Sequence, residues 1–451
     1  MTDAELEADP AEAVRLVAGM VRRGEGGEAF RERRRVLSWS ATEAGLLSPS
    51  FVEERGTAAR IRRGRETLLV ARSGTSLDSL REAVREASRR AGTSPFFKAL
   101  RRPGPPPKHE PSQAEESEEA RTAALASALA HAVPDPRGLS LSLVLSHVSV
   151  ARAVVTPRAL HSLGSSSRLE AAGTIVGGGH ERPFAFQSPL PFPAAAAALS
   201  HALHEATRPV PRFPATEGEA DIVFSSSAAS VFWHEAVGHP LEAEGPERAS
   251  VLARVRGAAV APPGLEVVDD PRRSDLAGGF ALDDEGVIAR PVTLLHDGHV
   301  GDVLTDRRTA AEASNGHGRT SDYRRPPRVR MSNLVVSKGH AKLHDLFAEC
   351  GTGIFVREIS AGSADPESGR FVLVVEHAEL LRRGRQAGAL TRFALVGDLL
   401  VALSNLFPER GDEALPAVGL GLCVKGGDGV AVGGAAPAML IRGLHVRGAR
   451  L

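Results

Sequence analysis

Cysteine is almost missing from this chain of 451 residues: Cys350 and Cys423 are the whole complement. Two cysteines make no disulfide framework, which makes a reducing compartment the expected home. An excess of charge is missing too, since Lys+Arg and Asp+Glu both number 55. That balance argues against a protein that coats nucleic acid, which would carry a broad basic surface. No apolar run reaches the length of a membrane span; the most apolar stretch, Phe393 to Phe407, is broken by Asp398 and Asn405. The N-terminus, Met1-Thr2-Asp3-Ala4-Glu5, shows no basic segment followed by an apolar one, so no secretory leader is expected. These absences predict a soluble cytoplasmic chain with no membrane and no nucleic-acid partner.

The length exceeds what one hydrophobic core serves, so two or three domains are expected. Hydrophobic residues make up 42%, enough to fill them. Residues 1–215 read as an N-terminal α/β region. Ala11 to Val21 and Ala194 to Ala206 have helical character, and Ser76 caps a third helix that runs to Ala91. Thr67 to Ala71 reads as a strand, and from Leu139 apolar and polar residues alternate as in a half-buried strand. Within this region, residues 102–120 hold Pro103-Gly104-Pro105-Pro106-Pro107 and the acidic run Glu115 to Glu119, a composition that buries little and predicts a linker. Residues 216–451 carry short β-like runs such as Val292 to Leu295, Leu334 to Val336, Phe371 to Val375 and Val430 to Val432. The fold class expected is α+β, an N-terminal α/β region followed by a β-rich, mainly antiparallel catalytic domain.

Chemistry concentrates at His234-Glu235-Ala236-Val237-Gly238-His239. Two imidazoles flank a carboxylate, and neutral imidazole is a good zinc ligand. A Glu beside the ion can take a proton from water and pass it to a leaving amine. The common zinc-protease motif spaces its histidines four apart; here they are five apart. At about 100° per residue a regular helix would aim the two rings roughly 140° apart. The helix must therefore end or distort before His239, and Gly238 and Pro240 are the residues expected to allow it. On the residues alone a second reading stays open, a buried and a surface histidine near a helix end. A catalytic zinc also needs a third protein ligand. Cys423, flanked by glycines, and Cys350, on a helix-like stretch, are the sulfur candidates; the glycines favour Cys423.

Several blocks in order resemble the TldD/PmbA metalloproteases, on the zinc-bearing TldD side. His234-Glu235-Ala236-Val237-Gly238-His239-Pro240-Leu241-Glu242 is similar to that family's H-E-A-V-G-H-G-L-E signature. Asp283-Asp284-Glu285-Gly286, Asn315 to Asn333, Ser368-Gly369-Arg370-Phe371 and Gly419 to Gly429 resemble further family blocks. The resemblance runs from about residue 215 to the C-terminus. It implies zinc held by His234, His239 and Cys423, with Glu235 as general base. It also implies a cytoplasmic peptidase for peptides or unfolded chains that works as a dimer, either a homodimer or a heterodimer with a zinc-less PmbA-type paralogue. Pro240 and Val424 replace glycines of the family pattern, and His317 and Gly318 disturb its G-N-G-R spacing.

Arg319, Tyr323 and Arg330 lie in one of these blocks. Arg can grip a peptide carboxylate and Tyr can stabilise an oxyanion, which makes the three substrate-binding candidates; structural hydrogen bonding is the competing role. The function expected is zinc-dependent peptide hydrolysis through water activated by Glu235. The alternative is a non-catalytic, metal-containing partner subunit or peptide-binding scaffold.

Overall fold

The structure is a computed structural model that describes residues 10–22, 25–92, 117–133, 138–177, 180–207, 212–245, 248–412 and 418–448. Most of the expected linker, residues 102–116, lies outside them. Its end does not read as a linker: Ser117 accepts a hydrogen bond from the Ala120 amide and caps helix Glu118–Ala132, so Glu118 and Glu119 sit in a first helical turn. Acidic side chains suit that end of a helix dipole.

The first half is built on one antiparallel sheet. Strands Glu66–Ser73, Ser50–Arg63, Gly26–Thr42, Leu139–Val155, Leu160–Gly177 and His180–Ser188 lie in that order. Because every pairing is antiparallel, no crossover helices are needed, and the helices gather on one face. Helices α1 (Pro10–Met20) and α2 (Leu77–Arg90) cover one end of that face, where Val14, Val17 and Val84 pack on Ala29, Ala59 and Ile61. Helices α3 (Glu118–Ala132) and α4 (Phe192–Thr207) cover the other end, where Leu125, Leu129 and Leu199 pack on Leu37, Trp39 and Leu141. The opposite face carries Phe30, Ala58 and Val154, which pack on Tyr323 of the second half.

The described residues of the second half hold two large sheets and a two-stranded ribbon, Gly318–Arg319 with Arg328–Val329. One has seven strands, in the order Gly353–Ala364, Gly218–Phe224, Met439–Gly448, Phe393–Asp398, Arg370–Arg382, Arg385–Leu390 and Arg212–Phe213. The other has six, from His299–Val300 through Val292–His296, Val267–Asp269, Asn333–Val336 and Asp428–Ala435 to the edge strand Val418–Lys425. Pairings are mainly antiparallel, with parallel exceptions such as Asn333–Val336 against Asp428–Ala435. The chain is thus an α+β protein. One apolar cluster joins the two sheets around helix α5 (Ser226–Trp233). Phe232 anchors that helix, edge-on to Phe371 with ring centroids 5.6 Å apart. Among the described residues no helix is long and apolar enough to cross a membrane.

Candidate metal centre

Helix α5 begins at a capped turn, where the Ser225 side chain accepts the Ala228 amide. It points its C-terminal end at the motif. The motif does not end the helix; it widens it. Residues His234–Gly238 form a single π-helical turn, and the His239 amide donates to the His234 carbonyl five residues back. A turn closed over five residues stacks positions five apart, which a regular α-helix does not. The two imidazoles consequently meet, with ring centroids 4.8 Å apart and planes at 80°. A 3-10 turn, His239–Leu241, follows with Pro240 near its start.

Gly238 has a different job from the one its sequence suggests. Its φ of −61° and ψ of −60° are open to any residue, so conformational freedom is not what the position needs. A Cβ there would lie 1.8 Å from the Met331 sulfur. The glycine is required by close packing.

Cys423 completes the cluster from the edge strand Val418–Lys425. The ligand atoms of His234, His239 and Cys423 all lie within 4.8 Å of one another, and no other such group exists among the described residues. Cys423 Sγ is 3.3 Å from His239 Nε2. Burial alone would raise the Cys423 thiol, but the neighbouring imidazoles of His234 and His239 outweigh it and draw it down to about 4. Cys350, the other sulfur candidate, is elsewhere: it is packed with Leu346 and Phe355, and burial pushes its thiol up to about 11.

Behind the cluster sits Glu242, fully buried. Its Oε2 is 3.2 Å from His239 Nδ1 and accepts from Lys425 Nζ at 2.9 Å; its Oε1 accepts the Met331 amide at 3.0 Å. Burial disfavours charge on Glu242, but His239, Lys425 and Arg330 hold its carboxyl below the ordinary range. Burial likewise disfavours charge on His239, which Glu242 and Cys423 nonetheless raise well above the usual value. Glu235 is 7% exposed, and strand Gly353–Ala364 passes so close that a Cβ at Gly362 would lie 2.6 Å from Glu235 Cγ.

These residues fit a metal ion. The donors are two imidazoles and a thiol with a thiolate's pKa, His234 Nδ1 is buried without a protein partner, and a carboxylate backs His239 in the manner of metal-binding histidines.

A family model described as the PmbA/TldA metallopeptidase C-terminal domain matches residues 217–448, about half of the chain. The chain belongs to the TldD/PmbA family. It is 29% identical over 238 residues to a metalloprotease TldD homolog of Buchnera aphidicola, covering 52% of this chain and 49% of that protein. It is 33% identical over 230 residues to a metalloprotease of Archaeoglobus fulgidus, covering 50% and 52%. The chain therefore spans about half the length of the curated relatives it matches. In fold the likeness is longer: the crystal structure of TldE from Thermococcus kodakarensis superposes with a TM-score of 0.73 over 97% of this chain and 99% of that one, at 17% identity.

Side-chain chemistry marked Arg319, Tyr323 and Arg330 as substrate-binding candidates, and the structure places each in structural contacts. Arg330 is fully buried; it donates to the Asp428 carbonyl at 2.7 Å and to the Cys423 carbonyl, and its Nε lies 3.9 Å from Glu242. Arg319 donates to the carbonyls of Met331 and Ala431 and lies over the Phe280 ring. Tyr323 is wedged against Gly56, where a Cβ would lie 2.0 Å from its ring. It stands in the contact between the halves of the chain, and not in the cluster with the histidines. The unpatterned His317 is buried too, its ring nitrogens meeting Asn315 and Asp269 at 3.0 Å. Sequence reasoning missed Glu242, Lys425 and Gly362. Glu242 was within reach, since it closes the quoted signature three residues after His239; Lys425 and Gly362 carry no local signal.

Proposed function

We propose that this chain is a zinc-dependent peptidase acting on peptides or unfolded polypeptide segments. The observation that carries the reading is the meeting of His234, His239 and Cys423 in one buried cluster, with Glu235 on the same π-turn. A zinc ion held by those three would supply Lewis acidity, polarising the scissile carbonyl and acidifying water at the site. Glu235 then takes the proton of the attacking water and hands it to the leaving amine. Its packing against Gly362 limits its rotamers. Burial of His234 and Glu235 suits an extended chain that can enter a narrow cleft, and not a folded surface. The metalloprotease names of the relatives support the reaction class.

The same reading includes a cytoplasmic setting, consistent with two free cysteines, and a dimer of two copies or with a PmbA-type paralogue. Support for a partner comes from the first sheet. Val52, Val144 and Val176 share a face by register and remain exposed, at 55%, 52% and 38%, which is apolar surface a partner could cover.

The test is cleavage of an unstructured peptide by the wild type, by chelator-treated protein and by Glu235→Gln. The reading predicts hydrolysis that chelator abolishes. It predicts a variant that keeps its metal and loses about 10²–10⁴-fold in turnover, the usual contribution of a general base. A metal-loaded Glu235→Gln as active as wild type would refute the role of Glu235. A metal-bearing wild type with no peptidase activity would favour the scaffold reading.

A further inference from the structure

The carboxylate of Glu242 meets donors on every side. Oε2 faces His239 Nδ1 at 3.2 Å and Lys425 Nζ at 2.9 Å; Oε1 accepts the Met331 amide at 3.0 Å and lies 3.9 Å from Arg330 Nε. These partners come from different parts of the chain. His239 belongs to the π-turn. Lys425 lies two residues beyond Cys423 on the same strand, so both side chains leave that strand on one face. Arg330 also donates to the Cys423 carbonyl. One buried carboxylate thus touches one histidine directly and the cysteine strand through two cations.

We propose that Glu242 is the positioning residue of the metal centre, fixing His239 with its Nδ1 protonated and Nε2 presented, and tying that ring to the Cys423 strand through Lys425 and Arg330. It rests on the reading that His234, His239 and Cys423 hold a divalent ion. A carboxylate can only accept, so Nδ1 of His239 must carry the proton and Nε2 is left to bind, which matches the 3.3 Å approach of Nε2 to Cys423 Sγ. Lys425, held also by Glu244 at 2.7 Å, fixes the distance between the two ligand-bearing elements before any ion arrives. Such preformation lowers the ordering cost of binding.

Glutamine is the sharp probe because it keeps the shape and fails in either orientation. With its amide nitrogen at the Oε2 position it opposes His239 and Lys425. With the nitrogen at the Oε1 position it opposes the Met331 amide and Arg330. The experiment measures zinc dissociation constants by chelator competition for the wild type, Glu242→Gln and Lys425→Met. Each protein is also loaded with Co²⁺ to follow the cysteinate-to-cobalt charge-transfer band, and melted without metal. The expected result is about 10–100-fold weaker zinc binding in Glu242→Gln, the usual effect of losing such a partner, with an altered cobalt band. Lys425→Met should show a smaller loss of the same kind, and both metal-free variants should melt below metal-free wild type, because each change leaves buried partners uncompensated. A merely structural role would shift melting and leave the cobalt spectrum alone. Wild-type affinity and spectrum in Glu242→Gln would overturn the proposal while leaving the metal site standing. If Glu242→Gln does not fold, Lys425→Met decides: an unchanged dissociation constant and spectrum overturn the proposal. A wild type that binds no zinc removes the metal reading itself, and this proposal with it.

Discussion

At the scale of single residues, the centre is a small set of side chains whose chemistry depends on neighbours. Cys423 is a thiolate near neutral pH because imidazoles flank it, whereas Cys350 stays a thiol because burial and the charge of Asp221 outweigh the opposing Arg442. Alkylation in the metal-free protein should therefore label Cys423 at near-neutral pH and leave Cys350 untouched until the chain unfolds. Mass spectrometry of the labelled peptides checks this, and equal labelling of both would contradict it. His234, Glu235 and His239 were legible as candidates because residue type and order survive any fold, and the structure brings the two histidines together with Cys423. The tasks of Arg319, Tyr323 and Arg330 were not legible. Arginine that grips a substrate and arginine that holds main-chain carbonyls look the same in a sequence, and only burial separates them.

At the scale of elements, the spacing of the histidines dictated a distortion, and the distortion took one of several available forms. The five-residue separation was readable, and so was the need to bring both rings to one side. That the helix would widen into a π-turn, and not stop, depends on what packs beside it. Met331 closes on Gly238, and the glycine holds the turn against it. Gly238→Ala should accordingly destabilise the fold by about 1–3 kcal/mol through overpacking, and Met331→Ala in the same chain should restore part of it; denaturant midpoints measure both. Gly362→Ala is the companion test in the neighbouring strand. Its Cβ would displace Glu235, so activity should fall while metal content stays. The long strands of the first half show the same division. Alternation made Leu139–Val155 readable, but partners such as Gly26–Thr42 carry a run of arginines where an apolar face would be sought. Those arginines are paired within the structure: Arg33 and Arg35 meet Glu53 at 2.8 and 2.7 Å.

At the scale of the whole molecule, the two halves are held together by buried charge. Arg152 stands between Glu32 and Asp284, at 2.8 and 3.4 Å, and also donates to the Ser321 carbonyl. Arg60 donates to the Asp284 carbonyl at 2.8 Å. Removing one member of such a set leaves the others uncompensated, so Arg152→Met should cost about 3–5 kcal/mol of stability, measured by urea unfolding. Beside this contact, burial pushes the Asp283 carboxyl up to about 7. A carboxyl raised in the folded state binds its proton more tightly there than when unfolded, so its contribution to stability falls as pH rises from about 4 through 7. Wild type should thus lose more stability between pH 6 and pH 8 than Asp283→Asn does, a comparison that isolates this group from the others that titrate. Nothing in the local sequence at Asp284 announces the contact between the halves, because its partners Arg60 and Arg152 lie more than a hundred residues away along the chain.

If His234, His239 and Cys423 hold one divalent ion, metal content per chain follows from the number of intact ligands. Purified wild type and Cys423→Ser, both prepared metal-replete, should differ: about one zinc per wild-type chain, as a three-ligand site requires, and little or none in the variant. No bound metal in the wild type, or an undiminished content in Cys423→Ser, would mean that these three residues do not hold the ion.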